Sequence, residues 1–179
     1  MNDDQLMLEA ARGNRAAMEL LVLRHYDDVY AFAARRTGSG QAAQDIAQTT
    51  FEKLVRSVGT YRPLGRLRPF LFTIAANEVR AHFRQRPAGP ALPQDMGDGG
   101  EGVRLLLRRE DYRRVRAAVE DLPDAQQEAL ILFYYHDLAI KDIARAVDCS
   151  ENTIKSRLRL GLQKLRDRLK GELDEEELV

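Results

Sequence analysis

The chain has 179 residues, with 28 basic side chains against 28 acidic ones, a single cysteine and no tryptophan. That length suits one compact domain or two small ones, and an apolar share of 44% is enough to bury a core, which excludes wholesale disorder. Lone Cys149 excludes a disulfide scaffold, the opening MNDDQLMLEA lacks the features of a secretory signal, and the longest apolar run, near 129–135, is far short of the ~20 residues of a membrane span, so a cytoplasmic chain without a membrane span is expected.

The predicted elements are all helical. No segment alternates apolar and polar residues for long, and Ala, Leu, Arg, Glu and Gln dominate. Asn14 is placed to cap a helix that buries Ala17, Leu21, Tyr26, Val29 and Ala33 and stops at Thr37-Gly38-Ser39-Gly40. The next helix runs from about Gln41 to Val55. A loop with Gly59, Pro63 and Gly65 follows, and a third helix starts near Pro69, a residue suited to a first turn. On it Leu71, Ile74, Ala75, Val79 and Phe83 are expected to form the apolar face, with Thr73, Asn77, Arg80 and Arg84 as a polar, cationic stripe. Asn77 stands out, because an amide at a helix centre needs a partner when buried.

Residues 87–102, PAGPALPQDMGDGGEG, hold three of the six prolines and five of the twelve glycines, which suits a linker and neither helix nor strand. Beyond it, helices are expected over 104–120, 124–136, about 140–147 and about 151–170, with Leu122-Pro123-Asp124 as a break. The fold class is therefore all-α: two small helical domains joined by a flexible linker, the C-terminal one containing a helix-turn-helix. The expected boundaries are 1–86, a linker over 87–107, a second domain over 108–171 and an acidic tail over 172–179.

Zero net charge conceals segregation. Residues 51–86 carry eight basic residues against two acidic, and 138–170 carry nine against four, with acidic residues gathered at 172–177. Two separate basic regions suit two contacts with a polyanion. The second coincides with the sharpest motif, LAIKDIARAVDCSENTIKSRLRLGLQKLR. A short helix with Ile140, Ile143, Ala144 and Val147 on one face ends at Asp148-Cys149-Ser150, and the next begins at once with Ser150 as its cap. In that second helix Ile154, Leu158, Leu162, Leu165 and Leu169 are expected to pack, opposite Asn152, Lys155, Arg159, Gln163 and Arg166. The N-terminal turns of such a helix read base edges: Asn pairs with adenine, Lys and Arg with guanine, and Glu accepts from cytosine. A plain helical hairpin with a solvated charged face is the alternative.

Leu122-Pro123, Gln127–Leu132, Ile143-Ala144, Cys149-Ser150 and Thr153-Ile154-Lys155-Ser156-Arg157 resemble region 4 of the sigma-70 family of RNA polymerase sigma factors, nearest the small extracytoplasmic-function (ECF) group. The resemblance implies binding to the promoter −35 element through Glu151, Asn152, Thr153, Lys155, Ser156 and Arg159, and packing on the polymerase β flap. Gln44-Asp45-Ile46-Ala47-Gln48-Thr49-Thr50-Phe51 is similar to the family helix that docks on the β′ clamp helices. This implies Asp45, Gln48, Thr49 and Glu52 as core-polymerase contacts, with Thr49 where the family usually has Glu and Phe51 expected in the core. Arg68-Pro69-Phe70-Leu71-Phe72-Thr73-Ile74-Ala75-Ala76-Asn77 resembles the family's Trp-Leu-(Tyr/Phe)-x-Ile-Ala-x-Asn, with Phe70 for the Trp. It implies −10 DNA contacts through Arg68, Thr73, Asn77, Arg80 and Arg84, with Asn77 and the loop of about 57–67 holding a flipped base.

The implied partners are core RNA polymerase, promoter DNA and an anti-sigma factor. No cofactor, metal site or enzymatic activity is expected: His25, His82 and His136 show no ligand spacing, no phosphate loop is present, and acids such as Asp27 and Asp28 are expected on solvated faces. The −10 and −35 elements lie roughly two turns of ~34 Å apart, and sixteen extended residues reach at most about 55 Å. Two other readings stay open: a stand-alone helix-turn-helix regulator, and a sigma-like protein that binds polymerase or an anti-sigma factor without initiating transcription.

Overall fold

The computed structural model describes residues 1–62, 64–85 and 109–176, with side chains in the last stretch for 114–170. The expected linker, 87–107, lies outside the described residues, as do the side chains of the acidic tail. Among the described residues there is no strand, and the chain divides into two compact units.

The N-terminal unit consists of α1 (Asp3–Ala11), α2 (Arg15–Thr37), α3 (Gly40–Ser57) and α4 (Leu67–Gln85). Its helix ends follow the local chemistry. The Asn14 side chain accepts from the Ala17 amide at 3.3 Å to start α2. Gly38, at φ 64°, closes it in the left-handed conformation that a Cβ disfavours, and Ser39 at once caps α3. Helix α1 was not among the sequence expectations. Its signal is the capping box in which Asn2 and Gln5 exchange side-chain and backbone hydrogen bonds, with Leu6 and Met7 buried just behind.

The core of this unit is aromatic at its centre. Phe32 and Phe72 are fully buried and meet edge-on at 5.6 Å between centroids. Phe51 is buried and stacks beside Tyr26, as expected of a core position. The buried face of α4 is Leu67, Leu71, Phe72, Ala75, Ala76 and Val79. It is thus rotated from the expected one: Phe72 and Ala76 are inside, while Phe83 is 41% exposed. Phe72 takes the core site because Phe32 on α2 meets it there edge-on.

The C-terminal unit holds α5 (Arg109–Glu120), α6 (Asp124–Leu130), most of α7 (Ile140–Ala146) and α8 (Glu151–Glu176). Pro123 stands at the cap of α6, as the Leu-Pro-Asp break predicts. The single helix expected over 124–136 instead gives way to a π-helical turn at Ile131–Tyr135. The wider turn ends before Asp137, which takes a positive φ of 48°, and Leu132 still accepts from the Leu138 amide at 3.1 Å. Leu122, Ile131, Leu132, Ile143, Ile154 and Leu158 are buried. Among the described residues no helix is long and apolar enough to cross a membrane, and no group of three or more His, Cys, Asp or Glu could hold a metal ion.

Candidate nucleic-acid and polymerase interfaces

Helix α7 ends on a backbone turn that hands the chain to α8. The Cys149 amide donates to the Ala144 carbonyl at 2.9 Å, and Asp148 adopts φ 51°, a left-handed geometry that Asp tolerates better than most residues. Ser150 then accepts from the Thr153 amide at 3.1 Å, the expected cap, and its hydroxyl also meets the Thr153 hydroxyl at 2.8 Å. Thr153 is thereby half-buried and committed to the cap.

From that start α8 presents two faces. Ile154 and Leu158 are buried. Glu151, Asn152, Lys155 and Arg159 are exposed, and Ser156 is half-buried. The expected reading residues are thus brought to one end of one helix, four of them with open side chains. Farther along, the packed stripe departs from the expectation. Leu162 is 37% exposed, and the buried position is Gly161, where an added Cβ would lie 2.8 Å from Leu130 Cδ1. The bare backbone of Gly161 lets α8 cross α6 closely. Sequence reading passed over it because a glycine carries no hydropathy signal. Asp121 and Arg168 form an ion pair that ties the end of α5 to α8.

Helix α3 is divided as sharply. Its buried side is Ala42, Ala43, Ile46, Ala47, Thr50, Phe51 and Leu54. Asp45, Gln48 and Glu52 are exposed, at a spacing of three and four that places them in one row. Gln41 donates to Asp45 at 3.1 Å and Gln48 to Glu52 at 2.9 Å, so the row is knit along the helix. Thr49 is half-buried at its edge, and Val55, 48% exposed, continues the surface.

The five expected −10 residues are not equivalent. Arg68 is half-buried and taken up inside the unit: it pairs with Asp28 at 3.1 Å and lies 5.3 Å over the Phe72 ring. That pair also shows that Asp28 is not simply solvated. Thr73 bonds back to the Pro69 carbonyl at 2.9 Å, the usual recourse of a helical threonine. Asn77 is exposed, so its amide is on the open face and not in the core. Its Oδ1 accepts from Arg80 Nη2 at 2.7 Å. Arg80 is half-buried and Arg84 exposed. Asn77, Arg80 and Arg84 share one side of α4, whereas Arg68 and Thr73 are engaged by Asp28 and by the Pro69 carbonyl.

The loop before α4 makes contacts of its own. Tyr61 donates to Asp4 Oδ1 at 2.9 Å, and Gly65, at φ 66°, donates its amide to Asp4 Oδ2 at 2.6 Å. Burial pushes the Tyr61 phenol well above its ordinary value, and the hydrogen bond to Asp4 and the Asp4 charge push the same way.

Comparison with known proteins agrees with this division. The family model for sigma-70 region 2 matches residues 21–87, and that for sigma-70 region 4 matches 112–165. The ECF RNA polymerase sigma factor SigC of Mycobacterium tuberculosis is 30% identical, covering 97% of this chain and 92% of its own length. The RNA polymerase sigma-H factor of Pseudomonas aeruginosa is 29% identical over 87% of this chain and 88% of its own. Among solved structures, CnrH in complex with the cytosolic domain of CnrY is similar with a TM-score of 0.70 and 25% identity, over 94% of this chain and 97% of that one. With matched regions 2 and 4 in order and relatives aligned over nearly their whole length, the chain belongs to the ECF group of the sigma-70 family and is a promoter-directing sigma factor of RNA polymerase.

Proposed function

We propose a division of labour within this sigma factor. The exposed row Asp45, Gln48 and Glu52 on α3, with Thr49 at its edge, docks on the polymerase β′ clamp helices. Asn77, Arg80 and Arg84 on α4, with the loop before it, meet the −10 element. Glu151, Asn152, Lys155, Ser156 and Arg159 at the start of α8 read the −35 element, while Thr153 holds the helix start. Arg68 and Thr73 serve the −10 surface from beneath, by fixing α4 against α2 and within its own first turns. Residues 1–86 and 108–171 form the two working domains, and 87–107 join them.

The observation that carries this reading is the burial pattern of α8. Ile154 and Leu158 lock one face into the unit, while Glu151, Asn152, Lys155 and Arg159 around them stand exposed with base-reading chemistry. Energetics explain why such a module works as a subunit. Opening a duplex costs about 1.4 kcal/mol per base-pair step, and one or two captured bases return only a few kcal/mol. Polymerase supplies the remainder. The protein acts by binding alone, needs no cofactor, and works in the cytoplasm beside its polymerase. The family resemblance implies an anti-sigma factor as a further partner, in line with CnrH, which was solved with a protein bound to it.

Run-off transcription with purified core polymerase tests the scheme. Promoter-dependent transcripts are expected from the wild type, and loss of them from variants in any one of the three surfaces. Tight duplex binding without polymerase would instead indicate a self-sufficient regulator, and polymerase binding without transcripts a non-initiating sigma-like protein.

A further inference from the structure

Two consecutive carboxylates at the start of α1 face different neighbours. Asp3 turns to α2, accepting from Arg24 Nη1 at 2.5 Å and meeting His25 Nε2 at 2.8 Å. Asp4 turns to the loop between α3 and α4, where its two oxygens take the Tyr61 hydroxyl and the Gly65 amide. Both carboxylates are fixed in place, because the Asn2–Gln5 capping box sets the helix start and Leu6 and Met7 seat it in the core at 1% exposure each. The region-2 family model begins at residue 21, beyond α1.

The loop is therefore tied at two points four residues apart. At the first, the Tyr61 ring rests 6.1 Å from Phe70. At the second, Gly65 holds a positive φ that a residue with a Cβ resists. Between and just after the ties stand Arg62, Leu64 and Arg66, all exposed, with Leu64 at 69%. A loop held in one arrangement before binding loses less conformational entropy on meeting its ligand than one that must be ordered by it. Because the Tyr61 phenol holds its proton throughout the physiological range, it remains a donor to Asp4 there.

We propose that α1 is a positioning element for promoter reading, in which Asp4 clasps the loop through Tyr61 and Gly65 and so aims Arg62, Leu64 and Arg66 at the −10 strand. This deepens the function above and rests on the reading that the loop meets −10 DNA. Asp4 and Tyr61 are positioning residues and touch no base.

The test uses the full chain with core polymerase on a promoter mapped by sequencing the 5′ ends of its transcripts in vitro. Open-complex formation is compared between that promoter and versions with single −10 substitutions, for wild type, Asp4→Ala, Tyr61→Phe and the double variant. Tyr61→Phe keeps the ring against Phe70 and removes only the hydroxyl, so it remains informative if Asp4→Ala folds poorly. Each single variant is expected to lower −10 discrimination about fivefold, a modest share of what hydrogen bonds to a charged group are worth. Polymerase affinity should stay within about twofold, because the clasp shares no bond with the α3 row, and the double variant should be no worse than Asp4→Ala because both act on one clasp. Hydrogen exchange at the Gly65 amide should quicken in Asp4→Ala. Unchanged discrimination in Asp4→Ala and Tyr61→Phe, or a fall that merely follows lost polymerase affinity, overturns the proposal. A parallel Arg62→Ala, Arg66→Ala variant separates the two levels. If it leaves discrimination intact, the loop does not read the −10 element and the proposal goes with it. If it alters discrimination while the clasp variants do not, only the positioning role is lost.

Discussion

Arg80 donates to the side chain of Asn77 at 2.7 Å across one turn of α4, on the face turned to solvent. The bond orients an exposed amide that contributes nothing to the core. Asn77→Ala should therefore leave the thermal midpoint of the N-terminal unit almost unchanged, within ~0.5 kcal/mol as for surface positions. Open-complex formation should weaken by about 1–2 kcal/mol, the scale of a lost polar base contact. Equal losses in polymerase binding and opening would make Asn77 structural.

The α3 row invites a different measurement. Asp45→Ala with Glu52→Ala should reduce affinity for core polymerase by about 1–2 kcal/mol for the pair, as for interface positions of middling weight. Binding of −35 DNA by the C-terminal unit should be untouched. Competition between wild type and variant for limiting polymerase reads this directly.

At the other end of the chain, Arg159→Ala should relax base preference within the −35 element by about 1–3 kcal/mol at one position, the worth of a bidentate contact. Its exposed side chain predicts no change in melting. Retained preference across a −35 substitution series would remove Arg159 from the reading face.

Gly161→Val tests the close crossing of α6 and α8. An extra side chain directed at Leu130 should destabilise the C-terminal unit by about 1–3 kcal/mol through overpacking. This would occur although glycine is a poor helix former, costing ~1 kcal/mol relative to Ala in an open helix. Urea unfolding followed in that unit is the measurement; a gain in stability would mean that Leu130 yields easily.

Alkaline pH provides a stability prediction. The Tyr61 phenol is raised above its ordinary value near 10, so the folded state keeps the proton that the unfolded state gives up. Its contribution is complete below that value and declines as pH rises past it. Tyr61→Phe should make stability above about pH 10 less steeply dependent on pH than in wild type. Identical slopes in chemical unfolding at pH 9 and 11 would contradict the assignment.

Much of this architecture is legible in the residues alone. Caps at Asn14 and Ser150 each depend on one side chain and a nearby amide, and both form as expected, as does the unforeseen one at Ser39 by the same chemistry. Local chemistry of that kind survives without knowledge of the fold. What escaped depends on residues distant in sequence. Whether Phe72 or Phe83 is buried is decided by Phe32 on another helix, and the occupation of Arg68 by Asp28, forty positions earlier. Gly161 shows no pattern until α6 is beside it. Helix α1 could have been found from Asn2, Gln5 and the apolar pair that follows, but its hold on the loop is visible only once Asp4 is seen against Tyr61.

Helix α8 is unbroken from the proposed −35-reading residues to Glu176. At 1.5 Å per residue, about 30 Å of rod separates Asn152 from the first acidic residue of the tail, Glu172. The ionic atmosphere of a cell damps exposed charges beyond roughly 8 Å. Along such a rod the acidic stretch starts too far from the proposed base-reading turn to repel a phosphate there, so trimming the tail should leave promoter affinity, and its dependence on salt, as they were.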